Sequence, residues 1–129
     1  MQKPQILIVD LGSQYTQIIR RSLRFLGFHS VIVAPDVALK WISENKPKSI
    51  ILSGGTINIS DKDVPQIPAE LLGLNTPILG ICLGMQWLAY THDQNSIQAV
   101  EGGKSYGPVE VALGKSKLFE NLSAKINAW

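Results

Sequence analysis

The stretch Pro77-Ile78-Leu79-Gly80-Ile81-Cys82-Leu83-Gly84-Met85-Gln86 decides how this chain is read. Its first five residues form a short apolar run of the kind that makes a strand covered on both faces. From Leu83 to Tyr90 the pattern is helical, so Cys82 stands at the junction with Gly80 and Gly84 two positions to either side. A nucleophile on a tight strand-to-helix turn needs this spacing, because the backbone is strained there and close neighbours must lack side chains. Such a turn projects the sulfur from the carboxyl edge of the sheet, where open α/β sheets bind ligands. The unpaired N–H groups and positive end of the following helix favour a thiolate and can hold an oxyanion. A lone cysteine can also be a small buried hydrophobe; the double-glycine spacing favours the nucleophile.

Outward from this stretch, strands and helices alternate. Ile6-Leu7-Ile8-Val9 is a continuous apolar run, read as a buried strand. After Asp10-Leu11-Gly12-Ser13 the period changes, and Tyr15, Ile18, Ile19, Ser22 and Leu26 fall on one helical face. Gly27 sits where a C-terminal cap glycine belongs, and Ser13 where a cap at the start does. Ser30 to Ala34 is a second strand. Pro35-Asp36 then stops it and caps a helix carrying Ala38, Trp41 and Ile42, closed by Pro47. Ser49 to Ser53 is a third strand ending in Gly54-Gly55, followed by a loop from Thr56 to Pro68 and a short helix around Ala69 to Leu72. This alternation implies right-handed crossovers, and so a three-layer α/β architecture: a mostly parallel sheet with helices on both faces. In the last third, Val109, Val111 and Leu113 alternate with Glu110, Ala112 and Gly114, framed by turns at Gly102-Gly103 and Gly107-Pro108, as in a half-exposed strand.

Composition narrows the class. The chain has 129 residues, 45% hydrophobic and 17% charged, a globular balance for one domain with its own core. A net charge of +2 is too even to argue for nucleic acid or an anionic membrane as partner. A single cysteine excludes an intramolecular disulfide framework and a Cys-rich metal site. The run from Pro77 to Leu88 is too short to span a bilayer. The start, Met1-Gln2-Lys3-Pro4, leads directly into a strand and is unlike a signal peptide, so a cytoplasmic location and a reduced thiol are expected.

A nucleophile needs company. Ser53-Gly54-Gly55 ends a strand at the same sheet edge, so its N–H groups, with that of Leu83, could form an oxyanion hole; an ordinary turn is the plainer alternative. The stretch is no P-loop, because no Lys-Ser or Lys-Thr follows at the required spacing. Only two histidines exist. His29 precedes the second strand, at the amino edge, and His92 lies ten residues beyond Cys82, about 15 Å along a helix. A thiol without a base is ionised only to a few per cent at neutral pH. The elbow is there; a base for it is not evident.

Gly80-Ile81-Cys82-Leu83-Gly84-Met85-Gln86 resembles the nucleophile elbow of the class I glutamine amidotransferases. Asp10-Leu11-Gly12-Ser13-Gln14-Tyr15-Thr16-Gln17 and Ile50-Ile51-Leu52-Ser53-Gly54-Gly55 are similar to the GMP synthase branch of that family, and Gly107 to Val111 suits it too. The resemblance implies a flavodoxin-like α/β fold, with residues 1–129 forming a C-terminally incomplete amidotransferase domain. It implies that Cys82 attacks the carboxamide of glutamine, that the N–H groups of Gly55 and Leu83 form the oxyanion hole, and that Gly54 and Gln86 contact the substrate. It implies a partner too: a synthetase domain that uses ammonia, ATP and Mg2+ to aminate XMP, with no metal or cofactor in this part and a homodimer for the complete enzyme. Thr56 departs from the family, where proline usually follows the double glycine. The family's catalytic His and Glu lie downstream of Trp129, so this chain alone is expected to be inactive. Two alternatives stay open: another cysteine hydrolase with the same elbow, and a non-catalytic docking module. A phosphoacceptor receiver is disfavoured, since Ser53-Gly54-Gly55 stands where it would carry a carboxylate.

Overall fold

A computed structural model describes residues 4–98, 101–102 and 107–129. The chain forms two compact units, Met1–Ile97 and Gln98–Trp129. In the first, four strands, β1 (Ile6–Val9), β2 (Ser30–Val33), β3 (Ser49–Leu52) and β4 (Ile78–Gly80), alternate with α1 (Thr16–Phe25), α2 (Ala38–Asn45) and α3 (Leu83–His92). The strands pair in parallel in the order β2-β1-β3-β4. All four carboxyl ends therefore share one edge, with β1 and β3 in the middle.

The apolar runs follow from burial on both sides. Ile6, Ile8 and Ile51 point to one face and pack with Ile32 and with Ile19 and Leu23 of α1. Leu7, Val9, Ile50 and Leu52 point to the other, against Ala38 and Ile42 of α2 and Leu83 and Trp87 of α3. Helices cover both faces, which is the three-layer arrangement expected from the alternation. Short 3-10 turns at Pro35–Val37 and Ala69–Gly73 complete the connections, and Leu71 of the second is fully buried.

Three local expectations change. The apolar face read for α1 is rotated: Tyr15, Ile18 and Leu26 are 60%, 51% and 67% exposed, while Thr16, Ile19 and Leu23 turn inward. The cause lies at the helix start. The Thr16 hydroxyl lies 3.0 Å from Asp10 Oδ1 and equally close to the Ser13 carbonyl, and is 2% exposed. Fixing Thr16 inward sends the residues three and seven positions later inward with it. Ser13 closes a turn ahead of the helix rather than capping it, its hydroxyl accepting from the Tyr15 N–H at 3.0 Å. Asp36 does not cap α2 either: the 3-10 turn intervenes and Val37 takes the cap position without a side-chain bond. The far end of α1 closes as expected. Gly27 takes a positive φ of 86°, and the N–H groups of Gly27 and Phe28 return to the carbonyls of Arg24 and Leu23, a Schellman closure. Four elements differ at their ends: β2 and β3 stop at Val33 and Leu52, β4 spans Ile78–Gly80, and α3 runs to His92.

In the second unit, β5 (Val109–Ala112) pairs antiparallel with β6 (Lys125–Ala128). The period-two strand is present, with Val111 half-buried and Val109 exposed. Leu113 falls beyond the strand, although its N–H still reaches the Ala124 carbonyl at 2.8 Å. Lys125 Nζ meets Glu110 Oε1 at 2.8 Å across the ladder, well exposed and so worth little. Of the expected flanking turns, Gly103 lies outside the described residues. Among the described residues no helix is long and apolar enough to cross a membrane.

The rotated α1 face is directly measurable. Leu23→Ala is expected to lower stability by about 1–2 kcal/mol, and Leu26→Ala by less than about 0.5 kcal/mol, in denaturant titrations. Equal losses would place the core face where the sequence pattern alone put it.

Candidate active site

The elbow is formed at the carboxyl edge. Cys82 caps α3 with φ 50° and ψ −110°, a left-side conformation that a residue with a Cβ holds at a cost of about 1–3 kcal/mol. Its thiol is exposed. The two glycines explain how the turn fits. A Cβ on Gly80 would stand 2.6 Å from the Gly84 carbonyl carbon and the Met85 nitrogen. One on Gly84 would stand 2.5 Å from the Leu52 carbonyl oxygen. The first turn of α3 thus lies directly on the ends of β3 and β4. Hydrogen bonds hold it there: Ile81 N–H to the Leu52 carbonyl at 3.0 Å, and Gly84 N–H to the carbonyls of Ile81 at 3.0 Å and Ser53 at 3.2 Å.

The double glycine after β3 lies against this turn. A Cβ on Gly54 would come within 3.3 Å of Cys82 Cβ; one on Gly55 would collide with Leu83 Cδ2 at 2.5 Å and the Leu11 carbonyl at 2.8 Å. Gly54 and Gly55 therefore lie against Cys82 and Leu83 at one edge of the sheet. Among the described residues neither the Gly55 nor the Leu83 N–H donates a hydrogen bond within the chain.

The sequence reading missed what fixes this loop. Ser53 is fully buried; its N–H reaches the Val9 carbonyl at 3.0 Å, and its hydroxyl accepts from Leu11 N–H at 2.8 Å and donates to the Gly54 carbonyl at 2.9 Å. The ends of β1 and β3 are thereby tied together under the site. A serine closing an otherwise apolar strand was the available signal, since a buried hydroxyl must find partners. Ser13 also lines this edge: its Oγ would stand 3.7 Å from a Cβ on Gly54. Asp10 turns back to receive the Gly12 N–H at 3.0 Å, shaping the same loop.

Gln86 lies one helical turn beyond Cys82, and its N–H donates to the Cys82 carbonyl at 2.9 Å. Its side chain reaches sideways, where Oε1 accepts from the Ile59 N–H at 3.1 Å. The histidines do not converge on the thiol. The carbonyl of His29 receives the Gln5 and Ile6 N–H groups at the amino edge of the sheet, and His92 is exposed in the last turn of α3. A cavity of about 330 Å³ between the 56–68 loop and the second half of α3, around Trp87 and Tyr90, opens beside the helix rather than at its Cys82 end. No group of three or more His, Cys, Asp or Glu side chains that could hold a metal occurs among the described residues.

The crowding at the elbow predicts a contrast. Gly84→Ala forces the Leu52 backbone to move and is expected to cost about 2 kcal/mol or more. Gly114→Ala, which meets nothing within 4 Å, should stay within about 0.5 kcal/mol. Thermal or chemical unfolding of both variants checks this, and a harmless Gly84→Ala would refute the close approach.

Comparison with known proteins agrees with this geometry. The model of the family "Glutamine amidotransferase class-I" matches residues 7–129. The chain is 42% identical over 130 residues to a GMP synthase [glutamine-hydrolyzing] of Campylobacter jejuni, covering all of this chain and 25% of that protein. It is 39% identical to the GMP synthase of Treponema denticola and 35% identical to that of Thermosipho africanus, again over nearly all of this chain and 24% of each relative. The chain thus spans about a quarter of the length of the curated relatives it matches. Its fold is similar to the crystal structure of a protein assigned as a GMP synthase subunit from Thermoplasma acidophilum, with a TM-score of 0.74 at 27% identity, covering 100% of this chain and 64% of that one. With its sheet, its elbow and the family match in agreement over almost its whole length, the chain belongs to the class-I glutamine amidotransferases.

Proposed function

We propose that this chain is the glutamine-hydrolysing part of a GMP synthase, with Cys82 as its nucleophile. One observation carries the reading: the strained, exposed Cys82 stands against a double-glycine loop whose approach leaves two unpaired N–H groups, those of Gly55 and Leu83, at the same sheet edge. In the proposed reaction the Cys82 thiolate adds to the carboxamide carbon of glutamine. The carbonyl oxygen becomes an oxyanion held by the two N–H groups. The tetrahedral intermediate then expels the amide nitrogen, which takes up a proton and leaves as ammonia. Water hydrolyses the remaining glutamyl thioester to glutamate and regenerates the thiol. Gly54 forms the floor below the substrate and Gln86 borders it from α3.

Ammonia would pass to a synthetase portion that aminates XMP to GMP with ATP and Mg2+. The names of the relatives and their greater length support that assignment. The complete enzyme on this reading is cytoplasmic and homodimeric. Proton transfer needs a base, and neither His29 nor His92 stands at the Cys82 edge. This chain by itself should therefore bind glutamine and alkylate at Cys82, yet turn glutamine over at no more than background rate. The histidine positions also favour a second reading, a docking module with no live pocket.

Alkylation separates the two. A chloromethyl-ketone analogue of glutamine should label Cys82 stoichiometrically by intact mass, glutamine should protect, and Cys82→Ala should abolish labelling. Labelling indifferent to glutamine would favour the docking module. Glutamate release above background that vanishes in Cys82→Ala would contradict the predicted inactivity.

A further inference from the structure

The proposed reaction needs the Gly55 N–H to face the substrate oxygen, and packing alone does not make it do so. A Cβ on Gly55 would collide with Leu83 Cδ2 and the Leu11 carbonyl, which sets where the loop after β3 lies. Which way the peptide between Gly54 and Gly55 faces is a separate matter. Rotating that peptide about its two flanking Cα atoms reverses its carbonyl and its N–H while hardly moving either Cα. With glycine on both sides, no Cβ opposes the rotation. The glycines that permit the close approach therefore leave the donor free to turn away. A turned peptide would present its carbonyl oxygen to the oxyanion instead.

Ser53 removes that freedom. Among the described residues every peptide is trans, so the Gly54 carbonyl and the Gly55 N–H point in opposite directions across one plane. Ser53 Oγ receives the Leu11 N–H at 2.8 Å, so its one proton goes to the Gly54 carbonyl, 2.9 Å away. Among the described residues that hydroxyl is the hydrogen-bond partner of the Gly54 carbonyl. The hydroxyl itself cannot swing elsewhere, because Ser53 is fully buried and its N–H is bonded to the Val9 carbonyl at 3.0 Å. We infer that Ser53 is a positioning residue: its hydroxyl holds the Gly54 carbonyl inward and so turns the Gly55 N–H outward, presetting one of the two oxyanion donors. This deepens the proposed function and rests on it. Ser53 acts through the peptide plane, not on the substrate. Losing one such bond corresponds to roughly a tenfold change in a local equilibrium.

Two readouts test this on the chain as it stands. The first is the ratio of Cys82 alkylation rates with the glutamine chloromethyl ketone, whose carbonyl oxygen uses the two donors, and with iodoacetamide, which reacts without forming an oxyanion. The second is the carbonyl-carbon chemical shift of Gly54, which reports whether that oxygen accepts a hydrogen bond. Ser53→Ala is expected to lower the ratio about tenfold and to move the Gly54 resonance upfield. Ser53→Thr keeps the hydroxyl and should stay within about threefold of the parent ratio with the resonance unmoved. Leu23→Ala weakens packing on the opposite face of the sheet from α3 and should leave both readouts at their parental values. An unchanged ratio in Ser53→Ala overturns the inference, and so does an equal fall in Leu23→Ala. A Ser53→Thr chain that keeps the Gly54 resonance but loses the ratio as fully as Ser53→Ala overturns it too. Should Ser53→Ala fail to fold, the parent decides: a Gly54 resonance at the position of an unbonded glycine carbonyl sinks the inference. If glutamine fails to protect the parent from the ketone, the glutaminase reading falls and the role of Ser53 in the reaction with it. The Gly54 resonance then reports by itself whether the hydroxyl sets the peptide.

Discussion

Everything at this site depends on one close approach, the first turn of α3 lying on the end of β3 with Gly84 against the Leu52 carbonyl. Such contact is possible only without a side chain at Gly84, and the same holds at Gly80 one turn back. Once the helix is seated, the chain must leave β4 and enter α3 within Ile81 and Cys82, which forces Cys82 to a positive φ. The strain is held in place by backbone bonds from Ile81 and Gly84 to Leu52 and Ser53. The exposed thiol is a consequence of packing that lies beneath it.

The same seating governs the neighbouring loop. Leu83 is fully buried and occupies the space beside Gly55, so the loop after β3 can pass only as glycine. Ser53 ties that loop to the end of β1 through Leu11, and Thr16 ties the start of α1 to Asp10. The ends of β1 and β3 and the start of α1 are thus cross-linked by short side chains at the edge where the chemistry is proposed. The opposite edge carries His29 and is built from strand starts, so nothing in the topology could bring that imidazole to the thiol.

Much of this was legible in the sequence because its signals are local. Continuous apolar runs mark strands buried on two faces, and Ile6 to Val9 is buried at every position. Glycines two positions either side of Cys82 mark a turn with no room, and the close backbone approaches at Gly80 and Gly84 give that spacing its reason. What was not legible is rotational or long-range. Apolar residues on α1 span about half its circumference, so periodicity alone could not say which flank faces the sheet. The Thr16–Asp10 bond decides it, and a bond between a helix start and a strand end leaves no periodic trace. The Gln86–Ile59 bond joins residues 27 apart in the chain and was equally silent. Asp36 looked like a cap because its composition suited one, but the 3-10 turn after Pro35 moved the helix start past it.

On the proposed function, the elbow and the double-glycine loop form a single site around one substrate oxygen. A crystal structure of the chain carrying the covalent glutamine-analogue adduct on Cys82 tests it most directly. The adduct oxygen is expected within about 2.7–3.1 Å of both the Gly55 and Leu83 nitrogens. An adduct whose oxygen faces solvent, with those two N–H groups turned away from it, would mean that the elbow and the loop do not form one site.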